Sequence, residues 1–243
     1  MPLPSDALVR QRAATVAAWR VDVSSRPAGD WAQLRDVAVH TTGLPVVFWN
    51  GAHVTGPDPD LDAAAAWFAE RAMPWGVLVP EELAVDPGTP QVTTQRVMLR
   101  ELDHLPDLAD DLELWWDDGD GAAAVQREVF EDEQTEDFVL PKLRNDACGL
   151  VTAYDDGPVS TATLVVADGV AAVYGVGTLT AYRGRGLGRA VTLAALHEGA
   201  RRGCDLAYLN PSDLGHGVYA GLGFQDAPGW RVHMSIPAGS RSS

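Results

Sequence analysis

The chain has 243 residues, 46% hydrophobic and 21% charged, a composition ordinary for a globular protein and a length sufficient for one large or two small domains. Its formal net charge of −16 sets it against nucleic acid and anionic membranes as partners; the same charge favours encounter with cationic ligands such as amines, or serves solubility alone. No run approaches about 18 uninterrupted apolar residues, so no membrane span is expected.

Met1 to Arg20 lacks the basic start, apolar run and small-residue cleavage site of a secretory signal. Cys148 and Cys204 are isolated in the sequence, without a Cys-x-x-Cys pair or metal-ligand histidine spacing, so no metal is expected and a cytoplasmic location with reduced thiols is the default.

Ser5 is the expected N-cap of a first helix running to about Arg20, with Leu8, Val9, Ala13, Val16 and Ala17 at helical spacing. Pro45 to Trp49 reads as a short buried strand. Asp58 is then expected to cap a second helix with Pro59 at its first position and Leu61, Ala64, Ala65, Phe68 and Ala72 as its apolar face. Trp75–Val79 and Gln95–Leu99 read as two more strands, giving a small layered unit. Trp19, Trp31, Trp49, Trp67 and Trp75 are expected in its core.

From Glu101 to Asp137 fifteen acidic residues stand against one arginine. Part of this is expected to be a solvated linker, Leu102 to Asp111, and exposed faces. Leu112–Trp116 alternates as the first strand of a second domain, and Ala122–Glu131 reads as the helix after it. Val151–Tyr154, Thr161–Val166 and Ala171–Val176 are expected as three antiparallel strands, joined by turns at Asp155-Asp156-Gly157 and Ala167-Asp168-Gly169.

The stretch that carries chemistry comes next: Tyr182-Arg183-Gly184-Arg185-Gly186-Leu187-Gly188-Arg189, opening a helix with Leu187, Ala190, Val191, Ala194 and Ala195 on its buried stripe and ending at Gly203. Alternate glycines strip side chains from a turn, so that its N–H groups and the first N–H groups of the helix can point at one anion. The arginines supply matching charge. A dinucleotide fingerprint fails in both registers, because the third glycine would fall on Arg189 or on Thr180. A P-loop fails too: the single lysine, Lys142, is followed by Leu143.

The pattern that fits is Arg-x-x-Gly-x-Gly at Arg183, Gly186 and Gly188, entered from the strand Val173–Thr178 and succeeded by a strand at Leu206–Leu209 and by Tyr219-x-x-x-Gly223-Phe224. In these segments the chain resembles the GNAT superfamily of acetyl-coenzyme A dependent N-acetyltransferases. The resemblance implies an α/β (α+β) GNAT fold: a mixed, mostly antiparallel sheet flanked by helices, catalytic over 109–243. Residues 1–108 resemble, more weakly, the degenerate half-domain of some members, and an unrelated packing domain is the alternative.

Carried onto this sequence, the resemblance implies that Arg183, Gly184, Arg185, Gly186, Leu187, Gly188 and Arg189 hold the coenzyme pyrophosphate. Backbone N–H groups of Val176, Gly177 and Thr178 would polarise the thioester in a gap between the fourth and fifth strands, with plain strand pairing as the alternative. Many members have Asn seven residues before the tyrosine; here Ser212 stands there and Asn210 two residues earlier, and either is expected to contact the coenzyme. The usual proline is Thr180. Tyr219 is expected to protonate the departing thiolate, its phenol having an ordinary pKa of about 10. Glu128, Glu131 and Asp132 are candidates to face a cationic amine. His216 competes with Glu128, Glu131 and a water relay as base, while His197 is expected to be structural.

The expected activity is acetyl transfer from acetyl-CoA to a primary amine on a small, cationic molecule. The alternatives are a protein N-terminal or lysine acetyltransferase, and a non-catalytic CoA-binding interaction module. Oligomeric state stays open, a homodimer among the options.

Overall fold

A computed structural model describes residues 3–108 and 112–234. In chain order its elements are α1 (Ala7–Ser24), β1 (Asp30–Leu34), β2 (Val37–Thr41), β3 (Asn50–Val54), α2 (Leu61–Arg71), β4 (Gly76–Pro80), β5 (Gln91–Glu101), β6 (Glu113–Trp116), α3 (Gly119–Phe130), α4 (Thr135–Val139), β7 (Cys148–Tyr154), β8 (Pro158–Ala167), β9 (Val170–Thr178), α5 (Leu187–Arg201), β10 (Leu206–Leu209), α6 (His216–Gly221) and β11 (Gln225–Met234). The chain groups into two units, neither continuous: residues up to Ser25 with Val97–Ala227, and Arg26–Arg96 with residues from Pro228 on. The boundary expected after residue 108 falls inside the first unit. Residues 109–111 of the expected linker, and the tail from Gly239 expected to fray, lie outside the described residues.

In the first unit the strand order is β5-β10-β9-β8-β7-β6. Pairings from β6 through β9 are antiparallel, β9 and β10 are parallel, and β10 is antiparallel to β5. The two expected hairpins close at Asp156 (φ 58°) and at Asp168 and Gly169 (φ 50° and 72°), left-handed positions that suit Asp and Gly and match the right-handed twist of the strands. A parallel neighbour cannot be reached by a tight turn, and α5 makes the crossover from β9 to β10. Its stripe of Leu187, Val191, Ala194 and Ala195 joins Met98, Leu164, Ala171, Val173, Ala207 and Leu209 in one core. Helix α1 packs on β8 and β9. Lys142, the one lysine of the chain, is buried in an ion pair with Asp22, its ammonium 4.0 Å from the centre of the Phe138 ring.

The second unit has strand order β1-β2-β3-β4-β11. β1, β2 and β3 form an antiparallel meander, α2 crosses to β4 parallel to β3, and β11 pairs antiparallel with β4. The first unit repeats this plan with β7, β8, β9, α5, β10 and β5. In each, the last strand comes from elsewhere in the chain: β5 follows β4 in sequence but pairs with β10, and β11 follows β10 but pairs with β4.

Several local expectations are corrected. The apolar run Pro45–Trp49 is not a strand; it is a turn with one 3-10 turn at Val47–Trp49. Asn50 accounts for this, donating to the carbonyls of Leu44, Val46 and Pro74 at 2.9, 3.0 and 3.1 Å and accepting from the Thr42 amide at 2.9 Å, so the loop carbonyls are satisfied without a neighbouring strand. α2 is capped by Asp60, which accepts from the Ala63 amide at 3.0 Å, while Asp58 pairs with Arg35 at 3.0 Å. α1 runs on to Ser24, and its N-cap position is Asp6 rather than Ser5. The β1–β2 hairpin has no counterpart in the sequence reading. Of the tryptophans expected in the core, Trp75 stacks on Phe68 at 4.7 Å and Trp67 meets it edge-on at 4.8 Å, but Trp31 is 38% exposed.

Candidate active site

β9 outruns its neighbour. Its parallel pairing with β10 ends at Val173 opposite Leu209, yet β9 continues to Thr178, held from the other side by β8 through Tyr174–Thr163, Gly177–Thr161 and Thr178–Ser160. A register slip between Thr161 and Thr163 coincides with Gly175 at φ 56°. Such a bulge bends a strand and re-aims the residues beyond it. The Ser160 hydroxyl, fully buried, braces the bent end by donating to the Gly177 carbonyl at 2.9 Å. The result is an opening beside the last residues of β9.

That opening is one end of a cleft of about 560 Å³, lined by Val176, Gly177, Thr178, the turn residues Arg183, Gly184 and Gly186, the start of α5, and residues of α3 and α6. The turn is anchored by Arg183, which donates from Nε to the Thr178 carbonyl at 3.1 Å. Gly184 and Gly186 lie at φ 78° and 82°, with no atom within 4 Å of where a Cβ would stand. Only glycine takes that backbone without strain, and the space it leaves faces open. Gly186 is also the N-cap of α5 and offers no side chain to the first N–H groups of this 15-residue helix. Unsatisfied donors, the positive dipole end and the guanidiniums of Arg183 and Arg189 converge on the cleft, a donor set suited to a diphosphate. Leu187 and Gly188 line it too; Arg185 does not, being paired with Asp155 at 3.1 Å.

Tyr219 enters the same cleft from α6. Its ring is 8% exposed and meets Phe224 at 6.2 Å, near-perpendicular, inside the core. Its hydroxyl makes no hydrogen bond among the described residues, and burial pushes its pKa up to about 12, so the phenol stays protonated. Ser212 lines the cleft and also starts α6, its hydroxyl accepting from the Gly215 amide at 3.2 Å and its carbonyl from the His216 amide at 3.0 Å. Asn210 is partly buried and does not line the cleft.

The acidic candidates are placed elsewhere. Glu128, Glu131 and Asp132 are not among the residues lining the cleft; Glu131 is the left-handed C-cap of α3, and Asp132 accepts from the Gln134 amide at 2.9 Å. His216 points at Asp226, 3.0 Å away, and is not in the lining either. His197 bonds the Pro106 carbonyl at 2.9 Å. In place of the acids the structure brings Val129 and Phe130 from the end of α3, and Leu214 and Val218 from around α6. Val129 lies over the end of β9, 3.3 Å from where a Gly177 Cβ would be. The one sequence signal for Val129 and Phe130 was an apolar pair closing an otherwise charged helix end.

The family model described as Acetyltransferase (GNAT) family matches residues 106–224, which span the splayed strand, the glycine turn and Tyr219. The chain carries a GNAT-family acetyltransferase domain. Solved structures extend the likeness in fold to the whole length. A GCN5-related N-acetyltransferase from Kribbella flavida superposes with TM-score 0.72 at 23% identity, over 98% of each chain. A GCN5-related N-acetyltransferase from Sphaerobacter thermophilus gives 0.57 at 15% identity, over 96% of this chain and 93% of that one. A tandem GNAT protein from the clavulanic acid biosynthesis pathway gives 0.55 at 15%, over 97% of both. No curated protein matches the chain. The acetyltransferase domain makes the protein an acyltransferase, and the family generally uses acetyl-CoA. Among the described residues no helix is long and apolar enough to cross a membrane.

Proposed function

We propose that the acetyltransferase domain transfers acetyl from acetyl-CoA to a primary amine of a small molecule, with Tyr219 as the acid. The observation that carries this reading is the meeting, in one cleft, of the uncapped start of α5, the end of β9 that runs past β10, and Tyr219. Bound acetyl-CoA would supply an activated acetyl carbon: attack by the amine lone pair forms a C–N bond and breaks the C–S bond.

The chain's residues then have separable tasks. Arg183, Arg189 and the N–H groups from Gly186 to Arg189 grip the diphosphate. Of the residues Val176 to Thr178, those whose N–H groups face the side that β10 leaves would stabilise negative charge as it gathers on the carbonyl oxygen. Tyr219 gives its proton to the leaving sulfur, the amine's surplus proton goes to water, and the phenol is recharged from solvent.

The second unit is a copy of the same plan that has lost its anion site. Where α5 begins on a bare glycine, α2 begins on Asp60, whose own carboxylate accepts from the Ala63 amide in the first turn. An anion there would meet like charge. Buried thiols at Cys148 and Cys204 suit a reducing cytoplasm.

Calorimetry with acetyl-CoA, joined to a thiol-release assay with mixed amines, tests the reading. One binding event per chain and amine-dependent release of thiol are expected; failure to bind acetyl-CoA would overturn it.

A further inference from the structure

Resting on acetyl transfer at this cleft, we infer that the acceptor is an amine presented uncharged on an apolar, aromatic or branched aliphatic body, and not a polyamine or other polycation. The protein's overall charge suggests the opposite, so the local geometry has to decide. Among the described residues, the cleft lining holds no aspartate or glutamate; its charged side chains are Arg183 and Arg189, both cationic. A second positive charge on the acceptor would find no carboxylate side chain among these residues to pair with.

The contacts that are available are apolar. Phe130, Leu214 and Val218 are 51%, 74% and 40% exposed, and all three border the cleft. Large apolar side chains left in water around one opening mark a surface that a ligand covers. Val129 extends that surface to the reacting centre, packed over Gly177. The body of the amine would therefore meet hydrocarbon from Val129, Phe130, Leu214 and Val218, with Tyr219 next to Val218 in the chain.

Proton chemistry points the same way. His216 is engaged with Asp226 and Glu128 lies outside the lining, so among the described residues no carboxylate or imidazole borders the cleft to strip an ammonium. A weakly basic amine arrives with its lone pair free; once the C–N bond forms, its proton passes to water while the Tyr219 proton passes to sulfur.

The test uses the full chain with saturating acetyl-CoA and four probes: aniline, benzylamine, putrescine and spermidine. The apolar probes are expected to exceed the polyamines in kcat/KM by about tenfold or more. Phe130→Glu and, separately, Val218→Glu should raise KM for benzylamine by about tenfold with kcat changed less, and narrow the gap to putrescine. Acetyl-CoA affinity, measured by calorimetry on each variant, reports a folded cradle. A preference for spermidine or putrescine in the wild type, or variants that leave KM for benzylamine unmoved, overturns the inference while acetyl transfer stands. Acetyl-CoA that binds without turnover on any of the four probes also overturns it. Acetyl-CoA that does not bind removes the acetyl-transfer reading, and the inference falls with it.

Discussion

The ring of Tyr219 rests directly on Gly215: a Cβ added at 215 would stand 2.8 Å from Cε2 of the tyrosine. Gly215 is the N-cap of α6, so the residue that starts the helix also sets where the phenol sits one turn later. Gly215→Ala is expected to push the ring off its position and to lower kcat by about tenfold or more, because misplacement on the scale of an ångström has large effects on rate. Acetyl-CoA affinity should change little. Calorimetry alongside thiol release separates the two; an unaltered kcat would show that the ring's placement is not tied to Gly215.

Removing the hydroxyl while keeping the ring isolates the proton. Tyr219→Phe is expected to slow turnover by roughly 10²-fold with acetyl-CoA affinity near wild type. Since the Tyr219 pKa is raised to about 12, the wild-type rate should show no alkaline loss from this group until the pH passes the ordinary phenol value of about 10. A rate that falls away at neutral pH in step with a group lost in the Phe variant would contradict this.

At the proposed cradle, Gly188→Glu places bulk and negative charge at the start of α5, where even a Cβ would stand 3.2 Å from the Thr178 hydroxyl. Binding of acetyl-CoA should become undetectable by calorimetry. The thermal transition without ligand should move only modestly, as the position is at a helix end.

Stability should depend on the Lys142–Asp22 pair. Both side chains are buried, so Asp22→Ala leaves an uncompensated ammonium and is expected to cost about 3–5 kcal/mol, whereas replacing both partners with apolar residues should cost less. Urea unfolding of the single and double variants decides it; equal losses would mean the pair's charges are not what matters.

Acid should destabilise the fold through His40. Burial, and secondarily the neighbouring His53 ring at 5.2 Å, hold its pKa well below the usual histidine value. A folded pKa below the unfolded one means that stability is full above about pH 6.5 and is lost as the pH falls, because the unfolded chain takes up the proton first. The midpoint of thermal unfolding should decline between about pH 6.5 and 5, and His40→Gln should flatten that decline. A variant with the wild-type slope would assign the acid sensitivity elsewhere.

Much of the catalytic half was legible in the residues. Leu206–Leu209 matches β10 at both ends, and the Asp-Gly turns closed the hairpins where their left-handed preference said they would. The N-terminal half was harder. Asp30–Thr41 alternates poorly, with charged residues at its turn, and carries no strong hairpin signal; Pro45–Trp49 is apolar enough to pass for a strand until Asn50 is seen to hold its carbonyls.

By itself, the sequence determined the glycine turn proposed as the phosphate cradle, since alternate glycines, flanking arginines and a following helix act through local backbone geometry. It also determined the tyrosine that could meet the thiolate, by its place after β10. Only the tertiary structure decided which side chains border the cleft: helical period marks an apolar face but not what that face meets, and packing of α3 on β8 and β9 turns Val129 and Phe130 toward the cleft and leaves Glu128 outside it. Tertiary structure likewise decided that β5 and β11 leave their sequence neighbours, because strand pairing satisfies main-chain groups and is indifferent to the order in which the chain supplies them.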